Sequence, residues 1–195
     1  MMKVHPKTPI SAEIIKDSVS PTGKRLTTWV LTYPRFIHSE LLTHRQLSRN
    51  ASSSRAIPVA KIIQQVIDSP AIPVEWVKNQ AGMQGYQELN GELSAHATNE
   101  WLKARDEMVV RAQNLVNLGV HKQLANRLLE PFHFIKTIVS ATEFENFFTL
   151  RLHPMAEDNF QALLTVMEQE FRGSSPQELK AGEWHLPFVT DHECL

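Results

Sequence analysis

Cysteine is almost missing from this 195-residue chain: Cys194 is the single one. One thiol excludes an internal disulfide framework and a cysteine-based zinc site. No apolar run approaches the ~18–20 residues that a membrane-spanning helix requires. The start, Met1-Met2-Lys3-Val4-His5-Pro6, lacks the apolar segment of a signal peptide. Charge of one sign is also missing, since 20 Lys+Arg against 21 Asp+Glu leave a formal net charge of -1, which argues against a broad nucleic-acid surface. No Gly-rich dinucleotide fingerprint and no Walker loop occur; Gly82 and Gly85 stand isolated. The nine histidines form no His-Glu-x-x-His arrangement, and the terminal pair His192 and Cys194 lacks further ligands, so no metal is expected. There is no Gly-x-Ser-x-Gly elbow, and a nucleophile borne by the protein is not expected. These exclusions leave a cytoplasmic globular domain over residues 1–195, with neither nucleic acid nor membrane among its partners.

What is present suffices for a core: 42% of the residues are hydrophobic. Glu13–Ser18 and Arg25–Thr32 read as extended, because β-branched and aromatic residues cluster there, and Ser20-Pro21-Thr22-Gly23 turns one into the other. Pro34 suits the first position of a helix running Pro34–Leu47 that buries Ile37, Leu41 and Leu42. Ser48–Ala56 reads as a small polar loop, Val59–Ile67 as a helix stopped at Asp68-Ser69-Pro70, and Pro70–Asn90 as a long irregular excursion. Ser94–Leu118 is the clearest helix. Its rows Trp101/Met108/Leu115 and Leu102/Val109/Val116 make one apolar stripe, read as core or subunit interface, and Gly119 ends it. His121–Leu129 reads as a short helix closed by Pro131, and Phe132–Ser140 as a strand. Thr142 with Glu145 has capping-box spacing for a helix over Glu143–Leu152. Glu157–Phe171 is amphipathic, and the tail, residues 172–195, reads mostly as loop. The sum is an α+β fold, a small antiparallel sheet packed with a larger helical part.

Charge is unevenly spread. Tyr33–Lys61 holds five bases against Glu40 alone, whereas Met155–Leu195 holds eight acids against two bases. Within the basic stretch, Thr43-His44-Arg45 is followed by a loop dense in hydroxyls, Ser52-Ser53-Ser54, and then by Arg55. Such a set suits a phosphate: guanidinium forks give paired, charge-assisted hydrogen bonds, and serine hydroxyls with main-chain N–H groups complete the cradle. The same stretch also reads as a solvated, turn-forming serine loop. Two further arginines invite the same question. Arg127 precedes Pro131, and Arg151 ends the aromatic run Asn146-Phe147-Phe148-Thr149-Leu150-Arg151. Each either meets an anionic or carbonyl partner or lies along the surface with its stem on apolar neighbours.

Together these pieces resemble the flavin-dependent thymidylate synthases, in a divergent, phage-type form. That family's signature is Arg-His-Arg, a spaced Ser and then Arg; Thr43-His44-Arg45, Ser53 and Arg55 keep the spacing. Arg127 ahead of Pro131 is similar to the family's nucleotide-binding arginine, and Asn146–Arg151 to its Asn-Phe-Leu-Asn-Leu-Arg block. The resemblance implies a methyltransferase for dTMP biosynthesis, carrying a one-carbon unit from methylenetetrahydrofolate to C5 of dUMP, with FAD as hydride carrier and NADPH as its reductant. It implies a homotetramer with sites shared between chains. It implies that Ser53, Arg55 and Arg127 hold the phosphate of dUMP, that Glu40 and Arg151 meet the nucleotide, and that His44, Arg45, Asn50 and Asn146 contact FAD. Arg151 and Ser53 would then serve the chemistry. The same scaffold suits a pyrimidine nucleotide hydroxymethylase or a nucleotide-binding subunit without activity. The chain departs from the pattern at Thr43, Glu40, Ala51, Ser140 and Thr142. The family's upstream His and Glu-His element has no counterpart, since only His5 and His38 precede His44, so the chain reads as truncated or split from a partner segment.

Overall fold

A computed structural model of the chain describes residues 9–189. His5, His192 and Cys194 lie outside the described residues. Five strands form one sheet in the order β3-β4-β2-β1-β5. Strands β1 (Ser11–Val19) and β2 (Arg25–Pro34) form the expected hairpin, with Gly23 at φ 80° donating its N–H to the Ser20 carbonyl at 2.9 Å. A left-handed φ of this kind is what glycine supplies at a tight turn. β2 runs antiparallel to β4 (Phe134–Ala141), from Thr27 opposite Ala141 to Pro34 opposite Phe134.

Two strands differ from expectation. The loop read over Ser48–Ala56 contains β3 (Ser48–Ala51), antiparallel to β4. Its polar residues carry little strand preference; the ladder offered by β4 supplies the pairing instead. In the tail, β5 (Gln177–Glu178) adds parallel to β1, so the sheet is antiparallel with one parallel edge. His185 then docks on the sheet, with Ser18 Oγ 2.7 Å from its Nδ1 and Thr28 Oγ1 2.8 Å from its Nε2. The tail is therefore tied down at two points.

The expected helix over Pro34–Leu47 is broken up. Pro34 ends β2, Arg35–Ile37 is a 3-10 turn, and α1 covers only His38–Leu42. Bonds from Thr43 N–H to Glu40 and from His44 N–H to Leu41 tighten the end of α1 and stop it. Ile37 and Leu41 are buried as expected, but Leu42 is exposed. Helix α2 spans Val59–Asp68, and α3 spans Gly91–Asn117. The latter starts earlier than its apolar stripe because Asn90 caps it, its side chain accepting from the Leu93 N–H at 2.9 Å. At its end Gly119, at φ 80°, and Val120 bond back to the Val116 and Leu115 carbonyls, a Schellman closure.

The helix expected over His121–Leu129 is four residues of α4 (Lys122–Ala125) followed by a 3-10 turn, Asn126–Phe132, that carries Pro131 inside it. Helix α5 is Glu145–Arg151, and Thr142 does not cap it; the Glu143 carboxylate accepts from the Glu145 N–H at 2.6 Å instead. Helix α6 is Asp158–Gly173, with the Glu157 carboxylate accepting from the Phe160 N–H.

The main core lies between one face of the sheet and α5 and α6. Trp29, Leu31, Tyr33, Ile135 and Val139 point inward from β2 and β4 and meet Phe147, Phe160, Leu163, Leu164 and Met167. A second cluster joins Val59, Ile62 and Val66 of α2 to Ala112, Leu129 and Phe132, with Trp101, Met108, Val109 and Leu115 half-buried against it. The stripe on α3 is thus half-buried against the core, with Val116 exposed. The excursion after Pro70 is pinned between the two clusters: Trp101 Nε1 donates to the Ala71 carbonyl, Asn159 Oδ1 accepts from the Val74 N–H, and Trp76 Nε1 donates to Thr98 Oγ1, each at 2.9 Å. Within it Val77 bridges Glu88, and a Cβ at Gly85 would collide with Val77, so the close backbone approach requires glycine there. No helix among the described residues is long and apolar enough to cross a membrane.

Leu163 has no exposed surface. Leu163→Ala is expected to destabilise the fold by about 2–5 kcal/mol, the span for deleting a buried leucine side chain. Urea unfolding should show a lower midpoint at an unchanged slope.

Candidate functional site

The turn after α1 brings the first group of expected residues together. The Arg49 guanidinium, on β3, donates to the carbonyls of His44 (2.7 Å), Leu47 (2.9 Å) and Leu42 (2.9 Å). Carbonyls beyond the broken helix thereby gain a side-chain donor, the His44 carbonyl also accepting from the Leu47 N–H, and the turn carrying His44 is held in place. The His44 ring lies edge-on to Phe147, with centroids 4.6 Å apart, and stacks on Phe160 at 6.2 Å.

Arg151, from the end of α5, reaches the same turn. Its Nε donates to His44 Nε2 at 2.8 Å, its Nη2 donates to Thr43 Oγ1 at 3.2 Å, and its Nη1 lies 3.8 Å from Glu40 Oε2. Its guanidinium sits 5.1 Å from the Phe160 ring centroid. The surface reading of Arg151 therefore gives way to the partnered one: only 23% of the side chain is exposed. The arrangement demands a neutral imidazole. Burial, together with the Arg151 and Arg49 charges, pushes His44 down to about 4. Burial pushes the Glu40 carboxyl up against the opposing pull of Arg151. Burial also raises Glu157, and the nearby Glu40 charge adds to the effect.

Thr43, His44, Arg45, Asn146, Phe147 and Arg151 line one cavity of about 410 Å³. Three of the four residues expected at FAD, His44, Arg45 and Asn146, are in it. The fourth, Asn50, is exposed on β3 and lines another cavity with Val30, Ile138 and Phe188.

The phosphate candidates lie on two neighbouring turns, and neither Ser53 nor Arg55 lines the cavity that Arg127 lines. Ser53 and Arg55 are exposed in the turn after β3, where Ser53 Oγ accepts from the Arg55 N–H at 3.3 Å. Asn126, fully buried, donates to the carbonyls of Ser54 (2.7 Å) and Ile57 (2.9 Å) and so fastens this turn beside Arg127. Arg127 is about half exposed and pairs with Glu130 at 3.0 Å. Within one chain Arg127 and Arg151 line different cavities: α1 lines the first, and the turn that follows α1 lines the second. The sequence reading overlooked Arg49, Arg35, His38, Glu130 and Glu157. Only Glu130 carried a local signal, an acid three residues after Arg127. Among the described residues no group of three or more potential metal ligands converges.

A neutral His44 fixes the sign of a pH effect. Its folded value lies below the ordinary 6.5, so its contribution is complete above that pH and is lost as pH falls from 6.5 towards 4. His38, His133 and His185, all lowered by burial, add in the same direction. The melting temperature should fall over that window. His44→Gln, which retains an acceptor for Arg151 and cannot take a proton, should flatten part of the decline in a thermal scan series.

No protein-family model matches the chain, and no curated protein matches it. Solved structures share its fold. A UMP/dUMP methylase, PolB from Streptomyces cacaoi, bound with 5-Br UMP aligns at TM-score 0.71 and 14% identity, covering 88% of this chain and 92% of that one. The same methylase bound with 5-Br dUMP aligns at TM-score 0.64 and 13% identity, covering 87% and 93%. At such identities the likeness establishes the α+β architecture common to the chains.

Proposed function

We propose that the chain is a uridine monophosphate-modifying enzyme of the flavin-dependent thymidylate synthase type, transferring a one-carbon unit from methylenetetrahydrofolate to C5 of dUMP. The observation that carries this reading is Arg151. A cation drawn from 107 positions along the chain is held against a neutral histidine at a cavity whose other polar lining residues are Thr43, Arg45, Gln46, Glu143 and Asn146. The architecture shared with a UMP/dUMP methylase supports it.

The cavity residues fit a flavin ring. About 410 Å³ lies within the ~300–1,000 Å³ of small-molecule sites. Phe147 gives an apolar wall, and the Asn146 amide both donates and accepts, as a heteroaromatic edge needs. His44, Arg45 and Asn146 would hold the ring, and reduced FAD, replenished by NADPH, supplies hydride when bound. The protein's own part is orientation and charge. Arg151 places a fixed positive charge where electron density grows on the pyrimidine, and such a preorganised donor in a dry site contributes several kcal/mol, roughly 3–4 by single-donor deletions. Glu40 limits the mobility of that cation. Ser53, Arg55 and Arg127 hold the phosphate by charge-assisted bonds. Arg127 and Arg151 line separate cavities within one chain, and the homotetramer that the resemblance implies would complete the site by bringing the Arg127 side of one copy to the Arg151 side of another.

The direct test is product analysis. With FAD, NADPH, methylenetetrahydrofolate and dUMP, mass spectrometry should show the nucleotide heavier by one CH2, since a methylene and a hydride are added as the C5 proton leaves; unaltered dUMP that nonetheless binds would leave a nucleotide-binding subunit. Arg127→Ala and Arg151→Ala proteins should each be inactive alone and recover part of the activity when mixed and reassembled. In the binding assay, Arg55→Ala and Arg127→Ala should each weaken dUMP by roughly tenfold or more, the scale of one lost charge-assisted contact of ~1.5–3 kcal/mol. Unchanged affinity in both would remove the phosphate assignment.

A further inference from the structure

The turn leaving β2 and the turn entering β4 enclose a cavity of about 360 Å³, lined by Arg35, His38, Ser39, Arg127 and Glu130. At its wall Glu130 Oε1 accepts from three donors: Ser54 Oγ at 2.7 Å, Arg127 Nη1 at 3.0 Å and Arg35 Nη2 at 3.1 Å. Burial acts to raise the Glu130 carboxyl, but the Ser54 hydroxyl and the two guanidiniums outweigh it and hold the group below its ordinary value. Glu130 is therefore a resident anion at neutral pH. Two guanidiniums with five N–H donors each are not saturated by one carboxylate that Ser54 also shares.

The rest of the wall carries further polar groups. Arg35 is a fixed element: its side chain is 18% exposed, and its backbone N–H donates to the His133 carbonyl at 2.9 Å. Arg127, 52% exposed, is the outer arm. His38 is locked from behind, its Nδ1 2.8 Å from the Tyr33 hydroxyl, which is itself 2.7 Å from Thr137 Oγ1. Burial pushes Tyr33 up to about 12, so its hydroxyl stays protonated, and burial with the Arg35 and Arg49 charges keeps His38 neutral. Tyr33 and Nδ1 share one proton between them; when Tyr33 donates it, the other ring nitrogen carries N–H and adds a neutral donor on a residue that lines the cavity. Two cations and one internal anion leave the cavity with one net positive charge.

We propose that this cavity receives the phosphomonoester of the nucleotide from the Arg127 side, with Arg35 as a guanidinium additional to Arg55 and Arg127, and with Glu130 as an internal anion with which the substrate phosphate competes. The inference rests on the reading of the chain as a uridine monophosphate-modifying enzyme and adds residues that reading did not contain. A phosphomonoester near pH 7 carries more negative charge than a carboxylate, and its three oxygens accept from both guanidinium forks at once. It can therefore recruit the arginines that Glu130 keeps together in its absence. Glu130 prevents the two cations from repelling one another apart, and it sets the affinity below what the bare pair would give.

Calorimetric titration of dUMP into the full chain tests this. Failure of the unaltered protein to bind dUMP would overturn the functional reading, and this inference with it. Given binding, Arg35→Gln should weaken dUMP by roughly tenfold or more, as a lost charge-assisted contact does. Glu130→Gln should tighten it by roughly threefold or more, the scale of one like charge removed from a partly exposed site. A gain in affinity cannot come from a damaged fold, so the second variant stands even if the first folds poorly. An Arg35→Gln protein within twofold of the unaltered chain, or a Glu130→Gln protein that binds dUMP no tighter, would overturn the assignment. A tenfold loss in Arg127→Ala would still leave the nucleotide reading in place.

Discussion

The pairing of β2 with β4 decides where every chemically interesting side chain sits. Trp29, Leu31, Tyr33, Ile135 and Val139 have no exposed surface. A slip of one residue would turn either the three on β2 or the two on β4 towards the other face, so burial locks the register. The last rung, Pro34 opposite Phe134, is prolonged by the bond from Arg35 N–H to the His133 carbonyl. Chain leaving β2 and chain entering β4 are thereby held side by side. The first leads into α1 and the His44 turn; the second arrives from the Arg127 turn. The two polar cavities flank this junction because the sheet ends there.

Both cavities follow one electrostatic rule. A guanidinium brought partly out of water needs acceptors, and an unpaired one is costly. Arg151 has a neutral imidazole and a hydroxyl in direct contact, with its carboxylate, Glu40, at the longer distance of 3.8 Å. It is held in place yet only partly neutralised. Arg35 and Arg127 instead share a close carboxylate, Glu130. Arg49 is different again: its guanidinium is spent on three carbonyls and serves the shape of the turn. Four arginines of the same type thus have three distinct tasks, and their immediate acceptors tell them apart.

Some of this was readable along the chain. β-branched and aromatic clustering marked β1 and β2, and a Ser-Pro-Thr-Gly turn joined them as a hairpin. The rows through Trp101 and Met108 marked α3, and Gly119 marked its end. The spacing of His44, Arg45, Asn146 and Arg151 within their motifs singled out residues that share a cavity. Other features had no local signature. β3 is made of Ser48, Arg49, Asn50 and Ala51, which prefer no ladder and form one only because β4 offers a free edge. Pro34 suits a helix start as well as a strand end, and the partner strand decided between them. Thr142 had the spacing of a cap, but the neighbouring Glu143 took that place.

Sequence alone determined the elements that depend on periodicity and turn chemistry and the α+β class, and it singled out the polar residues proposed for binding. These are local properties, since side-chain direction repeats with the helix or strand period and a turn is set by its own few residues. Tertiary structure alone decided which arginine meets which acceptor. Arg151 reaches His44 across 107 positions, and Glu130 gathers Ser54 from 76 positions away. Contacts of such sequence separation follow from strand order and core packing, which bring distant segments together only once the apolar faces have been buried.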